Sequence, residues 1–137
     1  MKLRIFLADD HALFSDALRM TLNLEPDMEV VAQVQDGADV VAAALLAKPD
    51  VVCMDINLPG LSGVEATQAL LARMPHVKVI GLSAHSDAHK VAEMATAGAL
   101  GYVAKAHAGE EVANAIRSVH ANRPYFSPPM ILPTLEK

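Results

Sequence analysis

The chain has a single cysteine, Cys53, in 137 residues. That excludes an internal disulfide and fits a reducing compartment. Long hydrophobic runs are missing: no stretch approaches the roughly 18 consecutive apolar residues of a membrane span. No signal-peptide pattern opens the chain, because Met1-Lys2-Leu3 runs straight into an apolar stretch that meets two acids. Positive charge is also short. Eleven lysines and arginines face 16 acids, and the net charge of -5 argues against a nucleic-acid surface on this chain. No low-complexity block is present. No glycine-rich fingerprint follows the first apolar run, where "ADDHALF" puts negative charge at the place a nucleotide phosphate would need. With 53% apolar and 20% charged residues, the expectation is one globular cytoplasmic domain with a substantial core and no membrane contact.

Five short apolar runs are present, each followed by a segment of helical pattern. The runs are "LRIFLA" (3–8), "EVVAQV" (29–34), "VVCM" (51–54), "VKVIGLS" (77–83) and "GYVAK" (101–105). In the first helical segment Leu13, Ala17, Met20 and Leu24 recur at helical spacing, which marks them as a candidate packing face. Ser62 and Glu65 stand at capping-box spacing before the third helix, and Gly98 follows the fourth. Strict alternation with short connections predicts an α/β fold: a doubly wound, five-stranded parallel sheet, flavodoxin-like (βα)5, in the order 2-1-3-4-5. Residues 1–122 form the expected domain. Residues 123–137 contain Pro124, Pro128, Pro129 and Pro133 and read as an extended, polyproline-prone linker.

In such a sheet, ligands gather at the carboxyl ends of the strands. Asp9-Asp10 stand after the first run, Asp55 after the third, Ser83 at the fourth and Lys105 at the fifth. Taken singly, each has an ordinary explanation. An Asp at a strand end is commonly a turn or cap residue, Ser83 could cap a helix, and Lys105 could be a surface lysine. Together they bring three acids, a hydroxyl and an ammonium to one edge. Clustered carboxylates repel unless a cation intervenes, and a solvent-facing all-oxygen site suits Mg²⁺. A cation, a lysine and a hydroxyl can hold a phosphoryl group, and Asp55 can attack one. His11, His76, His89, His107 and His120 show no ligand spacing, so no transition-metal site is expected. Cys53, inside a strand, reads as a small core hydrophobe.

The set Asp9-Asp10, Asp55, Ser83 and Lys105 resembles the receiver domain of bacterial two-component response regulators. The segments "LADDHALF", "MDINLPGLSGVEA", "GALGYVAKAHAGEEVANAIRSV" and "ANRPYFSP" resemble its NarL/FixJ (LuxR-type) class. The resemblance covers residues 3–128. It implies that Asp55 is the phospho-acceptor, fed by a sensor histidine kinase. It implies Mg²⁺ held by Asp10 and Asp55, by Asp9 largely through water, and by the backbone carbonyl of Asn57. Ser83, Ala84 and Lys105 would contact the phosphoryl group, Tyr102 would be the switch aromatic, and Asn57 and His85 would tune phosphoryl lifetime. It further implies a switching surface on the fourth helix, fifth strand and fifth helix, and a homodimer on activation. DNA would be bound only through a helix-turn-helix domain outside this chain. On this account the chain is a switch rather than an enzyme.

Three other classes remain to be separated. An Asp-nucleophile phosphatase needs an acid two residues after the nucleophile, where Asn57 stands, and a cap domain. A nucleotide- or flavin-binding module lacks its glycine signature. A pseudo-receiver would signal by protein contact alone.

Overall fold

The computed structural model describes residues 2–84 and 88–127. His85 and the tail 128–137 lie outside the described residues. The elements run β1 (Leu3–Ala8), α1 (Ala12–Asn23), β2 (Met28–Val34), α2 (Val40–Ala47), β3 (Val51–Asp55), α3 (Gly63–Arg73), β4 (Lys78–Ser83), α4 (Ala88–Ala97), β5 (Gly101–Ala104), α5 (Ala108–His120) and β6 (Tyr125–Ser127).

All strand pairs are parallel, in the order β2-β1-β3-β4-β5-β6. The inner order is the expected 2-1-3-4-5, but among the described residues the sheet has six strands rather than five. The additional strand falls in the segment expected to be an extended linker. Its cause is local. Asn122 takes a left-handed conformation (φ 66°), and Pro124 cannot continue the helix, so the chain turns back. Tyr125 and Phe126 favour strand, and β5 offers an open edge with unpaired backbone groups. The Tyr125 N–H donates to the Leu100 carbonyl at 3.2 Å, and Phe126 comes level with Tyr102. Within the segment expected to be an extended linker, residues 125–127 are extended and join the ladder.

Side chains alternate across the sheet and build two cores. Phe6, Ala8, Val52, Met54, Val79 and Tyr102 face the layer of α2, α3 and α4. Ile5, Leu7, Val51, Cys53, Ile80, Leu82 and Val103 face the layer of α1 and α5. The central strands are thus buried on both sides, which explains their unbroken apolar runs.

The packing face of α1 differs from the expected one. Leu18 and Leu22 are buried, whereas Leu13, Met20 and Leu24 are 89%, 65% and 84% exposed. Both faces of α1 carry apolar residues at helical spacing. Spacing gives the period of a helix, not its rotation against the sheet. At α3 the expectation holds: Ser62 Oγ accepts from the Glu65 N–H, and Glu65 Oε1 accepts from the Ser62 N–H, each at 3.1 Å. Arg117 of α5 donates to Asp27 through Nε and Nη2, and to Glu25 through Nη2, fastening the helix to the α1–β2 turn.

Candidate functional site

Register sets the site. Ala8, the last residue of β1, pairs with Met54, so Asp9 and Asp55 leave adjacent strands side by side. Both carboxylates are almost fully buried, each 1% exposed. Asp10 projects outward and is 40% exposed. Ser83 is buried at the end of β4, level with Ala104 of β5. Ala84 is exposed in the bend that follows. Lys105 lies just past β5 in a short 3-10 turn, Lys105–His107, and brings its ammonium in from the β5 side.

Lys105 Nζ is the hub. It lies 2.7 Å from Asp9 Oδ2 and 3.1 Å from Asp55 Oδ2. The Asp9 contact is an ion pair without hydrogen-bond alignment. The stem of Lys105 is 91% buried, since its exposure is 9%, and Nζ sits 4.9 Å from the centroid of the Phe14 ring. A single ammonium thus serves two buried carboxylates. The Asn57 N–H donates to Asp55 Oδ1 at 3.0 Å, fixing the carboxylate plane. Burial pushes the Asp55 carboxyl above its ordinary 3.8; Asp9 adds to the rise, while the Asn57 N–H and Lys105 oppose it.

The loop after β3 is held by close backbone contact. The Gly63 N–H donates to the Ile56 carbonyl at 2.8 Å. A Cβ on Gly63 would fall 2.3 Å from the Asp55 carbonyl oxygen, so only glycine permits this approach of α3 to the site. The Asn57 side chain is exposed and accepts a hydrogen bond from Lys90 Nζ of α4 at 2.6 Å. A groove of about 650 Å³ runs beside it between α3 and α4. Tyr102 is 1% exposed and points into the α2–α4 core. The side chain of this candidate switch aromatic lies inward.

Asp9, Asp10, Asp55, Lys105 and Ser83 therefore come together at one edge, and Asn57 joins them through its backbone. One residue was missed. His11 Nδ1 lies 3.1 Å from Asp9 Oδ1, 3.5 Å from Asp10 Oδ1, 3.8 Å from Asp55 Oδ2 and 2.8 Å from Lys105 Nζ. Spacing among histidines could not find it, because its neighbours are acids. Adjacency to the Asp9-Asp10 pair was the available signal.

Lys105 stands among these acids as an internal cation, which shows that their oxygens converge on a point where positive charge is stabilised. The donor set Asp9, Asp10 and Asp55 is the oxygen chemistry of a hard divalent cation, so the residues fit one.

An acid pocket at the switch point of a doubly wound sheet defines a class of ligand-responsive α/β domain. Residues 5–117 match the response regulator receiver domain, and the chain belongs to that family. It is the receiver domain of a two-component response regulator, a signalling switch. The transcriptional regulatory protein DegU of Brevibacillus brevis is 39% identical over 127 residues, covering 93% of this chain and 54% of its own. The DNA-binding transcriptional activator DevR/DosR of Mycobacterium tuberculosis is 34% identical over 120 residues, covering 88% and 55%. The chain spans about half the length of these relatives. A LuxR-family response regulator from Aurantimonas sp. superposes with a TM-score of 0.86 at 28% identity, covering 98% of this chain and 93% of the other. The signal receiver domain of NarL from Mycobacterium tuberculosis gives 0.84 at 28% identity, covering 89% and 98%. The relatives are regulators of the NarL/LuxR type. No helix among the described residues is long and apolar enough to cross a membrane.

Proposed function

We propose that Asp55 accepts a phosphoryl group from a phosphohistidine on a partner kinase. The observation that carries this is the convergence of buried Asp55 and Asp9 on the Lys105 ammonium, 3.1 and 2.7 Å away. An Asp55 oxygen attacks phosphorus in line, the P–N bond breaks, and its electron pair returns to the imidazole. A new P–O bond makes an acyl phosphate. Asp9, Asp10, Asp55 and the Asn57 carbonyl would hold Mg²⁺, whose chemistry is to offset charge on the phosphoryl oxygens. Lys105 can turn from Asp9 to a phosphoryl oxygen, and Ser83 and the backbone at Ala84 supply further contacts. The bond from Asn57 to Asp55 keeps one carboxylate oxygen oriented and leaves Oδ2 as the nucleophile.

The added group carries close to two negative charges and strong acceptor oxygens. Ser83 and Lys105 respond first, and β5 carries the change to Tyr102. Because β5 lies between α4 and α5, the face of α4, β5 and α5 is the output surface, where a second copy or an output domain would pair. DNA binding would fall to a domain outside this chain; DevR/DosR, of which the match covers 55%, is named a DNA-binding transcriptional activator. Asn57 sits beside the path of a hydrolytic water, so it tunes how long the acyl phosphate lasts; the same role for His85 concerns a residue outside those described.

Intact mass after incubation with acetyl phosphate and Mg²⁺ tests the proposal. One phosphoryl adduct is expected on the wild type and none on Asp55→Asn. Undiminished labelling of that variant, with its fold intact by circular dichroism, would overturn it.

A further inference from the structure

We propose that His11 supplies an imidazole nitrogen to the cation pocket, so that the site also takes first-row transition cations of the Ni²⁺ and Co²⁺ kind, and more tightly than Mg²⁺. This rests on the cation pocket described above and adds a ligand of different chemistry to it.

The geometry around Nδ1 carries the inference. An ammonium only donates, and an imidazole nitrogen can serve as a ligand to positive charge. His11 Nδ1 lies 2.8 Å from Lys105 Nζ and 3.1 Å from Asp9 Oδ1, while the same Nζ lies 2.7 Å from Asp9 Oδ2 and 3.1 Å from Asp55 Oδ2. An imidazole nitrogen and carboxylate oxygens therefore surround one positive centre, which Lys105 supplies.

The distances suit a metal as well as an ammonium. The ligand atoms of Asp9, Asp10, His11 and Asp55 all lie within 4.8 Å of one another. Around an octahedral ion with bonds of about 2.1 Å, neighbouring ligands are about 3 Å apart and opposite ones about 4 Å. The Nδ1 separations of 3.1, 3.5 and 3.8 Å fall in that range. His11 is also held in place: its N–H donates to Asp9 Oδ1 at 2.8 Å, tying backbone and ring to the same carboxylate. The ring is 62% exposed, so a cation can enter from solvent past His11 and Asp10. Mg²⁺ gains little from imidazole, whereas Ni²⁺ and Co²⁺ gain much, and affinities at mixed N/O sites rise along the first transition row. One nitrogen among oxygens therefore tilts the site.

The test compares wild type with His11→Ala and His11→Asn by calorimetric titration with Mg²⁺ and Ni²⁺. Both substitutions fall at the N-terminal flank of α1, where His11 makes no side-chain cap bond, so the fold should tolerate them. The other histidines are unchanged, so the difference isolates His11. Loss of His11 should weaken Ni²⁺ about tenfold or more and change Mg²⁺ far less. Electron spin-echo modulation of the Mn²⁺-loaded wild type should show a directly bound ¹⁴N, absent in both variants. Equal Ni²⁺ affinity in all three proteins, or Mn²⁺ bound without nitrogen coupling, would overturn the role of His11 and leave the oxygen pocket standing. Failure of the wild type to bind any of the three cations would overturn the pocket itself.

Discussion

Two buried carboxylates, Asp9 and Asp55, share one ammonium, and the imbalance has a thermodynamic sign. The Asp55 carboxyl binds its proton more tightly folded than unfolded, because burial raises it above 3.8. Its contribution to stability is full below that value and is lost as pH rises through the raised one. At neutral pH the ionised Asp55 works against the fold. Asp55→Asn keeps an oxygen for the Asn57 N–H and removes the charge. Its melting temperature at pH 7 should exceed that of the wild type by about 2–5 °C. The gap should narrow as the pH falls from 7, because a carboxyl held above its ordinary value takes up its proton sooner in the folded protein. A gap that widens in acid, by scanning calorimetry across this range, would show that Asp55 is stabilising instead. Cys53 is the opposite case, inert by burial. Full burial pushes its thiol up to about 12, leaving almost no thiolate at pH 8. Iodoacetamide should leave native protein unmodified and alkylate one site in denaturant; rapid native alkylation would place Cys53 on an opening segment.

At the scale of elements, what was legible depended on whether sequence order alone decided it. Strand ends were legible, because each buried run stops where the chain must meet water. The residue standing there, Asp9, Asp55, Ser83 or Lys105, lands at the common edge once the sheet is parallel. The rotation of α1 was not legible, since Leu13, Met20 and Leu24 compete with Leu18 and Leu22 for the same period. His11 was hidden for a related reason: its ring acts through space with Asp9, Asp55 and Lys105, two of them far along the chain. The Gly63 contact was also invisible, as a glycine opening a helix suggests only a cap. Its effect is testable. Gly63→Ala places a Cβ 2.3 Å from the Asp55 carbonyl and 2.6 Å from Ile56 Cα, so α3 must retreat from the loop that holds Asp55. The expected loss is about 1–3 kcal/mol, read from urea unfolding. Labelling by acetyl phosphate should slow severalfold beyond what unfolding explains. Unchanged labelling kinetics in a destabilised Gly63→Ala protein would mean that α3 can shift without moving Asp55.

For the whole molecule, β6 finishes the described sheet at the β5 edge. Tyr125 packs toward the α1–α5 core and Phe126 toward the α2–α4 core, so one short strand closes both layers at the β5 edge. Tyr125 Oη also donates to Glu111 Oε1 at 2.8 Å, pinning the strand to α5. None of the groups at the acid pocket lies on β6. Stability and phosphoryl acceptance should therefore separate. A chain ending at Arg123 exposes the edge of β5 and half-buried ring surface, costing about 2–4 kcal/mol of apolar burial and ladder bonding. Its melting point should fall by roughly 5–15 °C, and its tendency to self-associate through the open edge should rise. At a temperature where it remains folded, Asp55 should still take one phosphoryl group at close to the full-length rate. Because β6 runs parallel to β5, it ends at Ser127 on the same edge of the sheet as Asp55 and Lys105. If the shortened chain folds but cannot be labelled, then β6 belongs to the pocket's support. The coupling between site and output would then run through that edge strand rather than through β5 and Tyr102.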